Sequence, residues 1–312
     1  MDASEQLEGL RAAVAWAGME IEELVLPREG HVVVGRTRLH YLDWGNQGRR
    51  PVLFLHGGGL QAHTWDLVCL DLRRDFHCLA LDLRGHGDSE WPPEADYSLE
   101  AYAADVAGFI DLMGLQDFVL VGMSLGGLTS ICYAGHHPER LAALVLVDVG
   151  PNVRTPGAQR IRDFLAAPSE VEEIDELVRR AVSFNPLRDE RVLRYSLRHN
   201  LRRLPNGKWT WKHDPRQWQG FSPEERTRRY RELWREVERI SCPTLVVRGE
   251  LSEVFLDEDA EKLARTLPRG RWVRVPRAGH TVQGDNPASL VRELRRFLAE
   301  VLPEGEKTVS RG

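Results

Sequence analysis

Lysine is nearly absent from this chain. Only Lys208, Lys212, Lys262 and Lys307 occur among its 42 basic residues, the other 38 being arginine, and no function follows from that imbalance. Cysteine is scarce as well. Cys69, Cys78, Cys132 and Cys242 form no CxxC pair and have no metal-ligand spacing, which excludes a disulfide scaffold and a zinc ribbon. They read as reduced, buried small hydrophobes of a cytoplasmic protein. No run approaches the roughly 18 apolar residues of a spanning helix, so no membrane association is expected. The first charges are Asp2, Glu5 and Glu8 and the apolar run Ala12–Ala17 is short, which does not read as a secretion signal. There is no excess of positive charge: the net charge of -5 gives no reason to expect nucleic acid as a partner. Repeats and low-complexity tracts are absent.

What is present is a globular composition, 42% hydrophobic and 29% charged over 312 residues, enough to bury a full core. Short β-branched or apolar runs alternate with helix-period segments, the pattern of an α/β fold with a parallel, doubly wound sheet. Strands are expected at His31–Val34, Leu39–Trp44, Val52–Leu55, Cys78–Leu81, Phe118–Val121, Leu144–Val147, Thr244–Val247 and Arg271–Val275. Ser98 suits the N-cap of a helix whose apolar face runs through Leu99, Tyr102, Val106 and Ile110, and Pro287–Leu302 reads as a closing amphipathic helix.

The alternation breaks between residues 151 and 240, where no strand is expected. Ile174, Leu177, Val178 and Ala181 form one helical stripe, and Leu193, Leu197, Leu201 and Leu204 another. This block carries 18 Arg and 2 Lys against 14 acidic residues, a net +6 that leaves -11 on the remainder. Such a split predicts a separate helical layer inserted into the chain. The expected organisation is a helical extension over 1–29, a core of 30–150 plus 241–312, and a helical cap over 151–240. The extension packs on its own domain or on a second copy, which leaves a homo-oligomer open.

Three motifs carry chemistry. Gly122-Met123-Ser124-Leu125-Gly126 is a G-x-S-x-G run directly after an expected strand and before a helix. A serine on so sharp a turn sits in a strained conformation with its Oγ lifted above the sheet, a nucleophile's position. His56-Gly57-Gly58-Gly59 follows another strand, and the amides of Gly58 and Leu125 are candidates for a two-donor oxyanion hole. His280, in Ala278-Gly279-His280, follows the last strand and is the candidate base among eleven histidines; His56 and His86, in glycine turns, suit structural hydrogen bonds.

Taken together, HGGG at 56–59, DLRGHGDS at 82–89, GMSLGG at 122–127 and AGH at 278–280 resemble the α/β-hydrolase superfamily, in its capped carboxylesterase and acyl-hydrolase branch. The resemblance spans about residues 30–302. It implies an eight-stranded, mostly parallel sheet with an inserted helical cap, no cofactor and no metal. It also makes Asp82, Arg84, Gly85 and Gly87 a structural loop. One departure stands out. The superfamily usually carries its third catalytic residue, an acid, where this chain has Ser252. Asp148, at a strand end before Gly150-Pro151, is preferred as the acid, with Glu253 as the alternative.

The implied reaction is hydrolysis of a small-molecule carboxylic ester through an acyl-enzyme. Perhydrolase, lactonase or C–C bond chemistry on the same fold, and a non-catalytic sensor, are the alternatives. The cap's arginines, with Trp209, Trp211, Trp218 and Trp234, suggest a flat ester bearing a carboxylate.

Overall fold

The structure is a computed structural model that describes residues 2–152, 155–166, 170–218 and 223–302. Ten strands occur among them: β1 (Arg28–Val34), β2 (Thr37–Asp43), β3 (Pro51–Leu55), β4 (His77–Leu81), β5 (Phe118–Met123), β6 (Leu141–Val147), β7 (Leu201–Arg203), β8 (Trp209–Trp211), β9 (Thr244–Gly249) and β10 (Gly270–Val275). Eight form one sheet in the order β1-β2-β4-β3-β5-β6-β9-β10, and only β2 runs antiparallel to its neighbours. All eight expected strands are in it.

The helices are α1 (Ala3–Ala17), α2 (Asp66–Leu72), α3 (Leu99–Leu112), α4 (Leu125–His136), α5 (Thr155–Ala166), α6 (Ile174–Phe184), α7 (Glu190–Asn200), α8 (Pro223–Arg239), α9 (Asp257–Thr266), α10 (Val282–Asp285) and α11 (Pro287–Val301). Central strands such as β3 and β5 are apolar along their whole length because helices cover both faces. The two-residue period sorts their side chains: Val52 and Phe54 join a cluster with α2 and α11, while Leu53 and Leu55 join one with α3, α4 and α9. Ser98 caps α3, its hydroxyl accepting from Ala101 N at 3.2 Å.

Helices α5 to α8 and the β7–β8 hairpin all lie between β6 and β9. Part of this insertion has a small core of its own, built on Leu177, Val178, Ala181, Leu197 and Trp211. The hairpin departs from the expected helical stripe. Leu201 and Leu204 keep helical spacing, but Pro205-Asn206-Gly207 is a turn sequence, and Gly207 N donates to Leu204 O at 2.9 Å to close it. Turn chemistry outweighs two apolar positions.

Helix α1 lies against α7 and α2, so the N-terminal extension touches both the insertion and the core. At Gly9 it approaches α7 so closely that a Cβ would stand 2.2 Å from the Tyr195 ring. No helix among the described residues is long and apolar enough to cross a membrane.

Candidate active site

Strand β5 runs into α4 through Ser124, whose φ of 50° and ψ of -115° lie outside the regions a side chain favours. Two close approaches hold it there. A Cβ on Gly122 would meet the Gly126 carbonyl oxygen at 2.4 Å, and one on Gly126 would meet the Leu55 oxygen at 2.4 Å. The motif's glycines are therefore a steric requirement of packing strand, turn and helix together. Ser124 stands at the start of α4, yet its side chain caps no helical amide, which leaves Oγ available to a substrate.

The amide of Leu125 opens α4 and, like that of Gly58, hydrogen-bonds no other protein group among the described residues. The two loops are stitched side by side, since Gly126 N donates to His56 O at 3.0 Å. His56 holds its own turn: Nδ1 donates to Gly57 O at 2.8 Å and Nε2 accepts from Leu83 N at 3.0 Å. Burial holds this ring's pKa below its ordinary value, so it is a neutral structural histidine.

Asp148 follows β6 with φ 51° and is fully buried. Its Oδ1 accepts from Gly249 N at 2.8 Å; its Oδ2 accepts from Ser252 Oγ at 2.5 Å and from His280 Nδ1 at 2.8 Å. Burial pushes this carboxyl above its usual range, opposed by the donors from His280, Ser252 and Gly249. Glu253, the alternative, lines the same cavity but is 65% exposed and pairs with Arg160 on α5. The imidazole thus has Asp148 and not Glu253 as its carboxylate partner.

Sequence reasoning missed two supports. Ser252 stands where an acid is usual, and nothing in its spacing shows that its hydroxyl donates to the acid at Asp148. Asp285, buried on α10, accepts from Gly279 N at 2.9 Å and from Arg188 Nε at 2.7 Å, so it ties the His280 turn to the α6–α7 connection. No local signal marks it, because its partners are six and 97 residues away in sequence.

Asp82 lies outside this group. Its oxygens accept from Ala62 N at 2.6 Å, Asp88 N at 2.9 Å and His40 Nδ1 at 2.8 Å. Although burial pushes its pKa up, the His40 contact and the other donors hold it well below the carboxylate range. Arg84 grips Asp105 with two bonds of 2.6 and 2.7 Å. These contacts are those of a structural loop.

Ser124, His280, Asp148, Gly58 and Leu125 all line one cavity of about 570 Å³ beneath the insertion. Its aromatic walls are Tyr97, Tyr102, Phe164, Phe184 and Phe255. Of the four expected tryptophans, the three whose side chains are described are elsewhere. Trp211 is buried in the insertion's own core with Trp209 against it, and Trp234 hydrogen-bonds Asn152; the side chain of Trp218 lies outside the described residues. Tryptophan here fixes helical layers because its area is worth most where both faces pack. Most arginines are also spoken for: Arg160 pairs with Glu253 and Arg229 with Glu100. Arg162 lines the cavity too, has a buried Nε, and makes no ion pair or hydrogen bond with a described residue. The cavity thus offers a strained serine hydroxyl, a histidine oriented by a buried carboxylate and, among the described residues, two unused amides and one unpaired guanidinium.

Comparison with known proteins agrees with this geometry. The family model of the alpha/beta hydrolase fold matches residues 50–287. Esterase Rv0045c of Mycobacterium tuberculosis is 35% identical over 265 residues, covering 82% of this chain and 85% of its own. A solved structure of that esterase, described under its transition metal inhibition, superposes with a TM-score of 0.76 at 32% identity, over 96% of this chain and 99% of that one. The crystal structure of E-2-(acetamidomethylene)succinate hydrolase reaches a TM-score of 0.78 at 25% identity, covering 88% and 99%. With its elbow, sheet order and family match in agreement, the chain belongs to the α/β-hydrolase fold family.

Proposed function

We propose that this protein hydrolyses small carboxylic esters with Ser124 as nucleophile, His280 as general base and Asp148 as the acid that orients it. Ester hydrolysis is the reaction class supported by the family match and by the similarity to the M. tuberculosis esterase. A small-molecule ester is its substrate. The observation that carries the residue assignment is the 2.8 Å bond from His280 Nδ1 to the buried Asp148, in the same cavity as the strained Ser124.

The mechanism follows from the atoms. With Nδ1 donating to Asp148, the free lone pair of His280 is on Nε2, which takes the Ser124 proton as Oγ attacks the ester carbonyl. The amides of Leu125 and Gly58 receive the tetrahedral oxyanion. The alcohol leaves with the proton from Nε2, and water attacks the acyl-enzyme by the reverse route. Asp148 stays ionised throughout, stabilising the imidazolium that forms.

Arg162 supports a narrower reading in which the acyl or alcohol part bears a carboxylate. The four cysteines are buried free thiols, which fits a reducing compartment such as the cytoplasm. The assignment is tested with a nitrophenyl ester and a fluorophosphonate probe. Ser124→Ala is expected to lose turnover by several orders of magnitude and all labelling while keeping its circular dichroism. Turnover near wild type in that variant ends the proposal.

A further inference from the structure

We propose that His63, Asp66 and His199 form a binding site for a divalent transition-metal ion that ties α7 of the insertion to the core. His63 lies in the 3₁₀ turn Ala62–Trp65 and Asp66 opens α2, three residues on, so both side chains project from one face of a continuous helical segment. His63 Nδ1 stands 3.0 Å from Asp66 Oδ2 and 3.1 Å from Oδ1. His199 comes from the last turn of α7 and lays its ring on that of His63, with centroids 3.7 Å apart. One ligand atom from each of the three lies within 4.8 Å of the others.

The second observation is an unanswered atom. His199 is only 7% exposed, and its Nε2 is buried without a hydrogen-bond partner among the described residues. A buried nitrogen left so costs on the order of 1–3 kcal/mol in general, and a metal ion removes that cost by accepting its lone pair. The carboxylate is also oriented from behind: the Tyr195 hydroxyl, one turn before His199 on α7, donates to Asp66 Oδ2 at 2.9 Å. Such outer partners are the usual companions of a metal ligand.

The donor set selects the ion. Two imidazoles and one carboxylate suit Zn²⁺, Co²⁺, Ni²⁺ or Cu²⁺, and offer too few oxygens for Ca²⁺ or Mg²⁺. Tetrahedral ligation at roughly 2.0–2.1 Å places ligand atoms about 3.3 Å apart, closer than the 4.8 Å within which the three now lie. A water completes the shell. On binding, His63 ligates as the neutral imidazole, its proton moving from Nδ1 to Nε2, and its hydrogen bond to Asp66 gives way to bonds from both side chains to the ion.

The site is separate from the catalytic cavity, which none of the three residues lines. It is coupled to it by one residue. Asn200, next to His199, accepts from Gln61 Nε2 at 2.9 Å and donates to Gly59 O at 3.4 Å, in the glycine loop that carries Gly58. Metal binding therefore braces α7 against the base of the proposed oxyanion loop.

The test uses the full chain, stripped with chelator and titrated with CoCl₂. One equivalent of Co²⁺ is expected to give visible d–d bands of tetrahedral strength, lost on adding one equivalent of Zn²⁺, with the thermal midpoint raised by a few degrees. His199→Phe, which keeps the ring stack, and Asp66→Asn are each expected to lose the bands while turning over ester near the wild-type rate without metal. Protein labelled at Ser124 by fluorophosphonate is expected to bind Co²⁺ unchanged, which separates this site from the catalytic histidine. Wild type without bands at one equivalent, or bands retained in both variants, overturns the proposal.

Discussion

Replacing Asp148 by asparagine probes the whole arrangement with the loss of one charge and almost no volume. Gly249 N donates to Oδ1, so the amide oxygen is held at that position and the NH₂ takes the place of Oδ2. There it faces two groups that now donate, Ser252 Oγ at 2.5 Å and His280 Nδ1 at 2.8 Å. Two donors cannot share a hydrogen bond. The serine hydroxyl rotates away at little cost, but the imidazole can answer only by moving its proton to Nε2. That tautomer has no lone pair for the Ser124 proton, and the imidazolium has lost its counter-charge. The equivalent change in serine proteases costs about 10⁴ in kcat, or about 5.4 kcal/mol at 1.36 kcal/mol per decade, and a loss of that order is expected here. The assay is kcat for a nitrophenyl ester at pH 8, with thermal denaturation to verify folding. Because Ser252 Oγ already touches Oδ2, adding Ser252→Asp to the asparagine variant restores a carboxylate beside His280 and is expected to recover at least tenfold of the loss. Glu253→Gln is expected to change kcat little, its charge being an exposed one worth less than about 1 kcal/mol. An Asp148→Asn enzyme within tenfold of wild type, or a Glu253→Gln loss equal to it, refutes the reasoning.

Other outcomes are equally open to measurement. Burial lowers the pKa of His213 to about 4, against contributions from Asp214 and a hydrogen bond with Leu165. Between about pH 6.5 and 4 the unfolded chain then binds the proton that the folded one refuses. Stability is complete above pH 6.5 and falls with pH by up to about 1.4 kcal/mol per unit. Between pH 7.5 and 5 the unfolding free energy from urea denaturation is expected to drop about 2 kcal/mol less in His213→Gln than in wild type, and parallel drops would contradict the argument. Arg162 is expected to favour a monoacid half-ester over its neutral diester by on the order of tenfold in kcat/KM at low salt, a preference fading with salt and absent in Arg162→Gln. Equal use of both esters at every ionic strength leaves Arg162 without this role.

The sequence by itself determined most of the frame, for reasons that are local. The central strands of the main sheet were legible because burial on both faces demands short apolar runs, as in Pro51–Leu55 and Phe118–Met123. The Ser124 turn was legible because its steric demand falls on residues two positions away, where only glycine fits. What the tertiary structure decided are matters of contact between distant segments. Asp148 and Glu253 are both carboxylates near strand ends, and the Gly150-Pro151 that follows the first only favours it. Only the meeting of β6, the turn after β9 and the His280 turn gives Asp148 three donors and leaves Glu253 to an arginine. The β7–β8 hairpin was hidden by leucines at helical spacing, and the tryptophans and arginines of the insertion suggested a pocket lining that packing assigned elsewhere. A side chain's type limits which partners it can take. Which partner it meets depends on residues as far apart as the 132 positions between Asp148 and His280, a separation that only the fold closes.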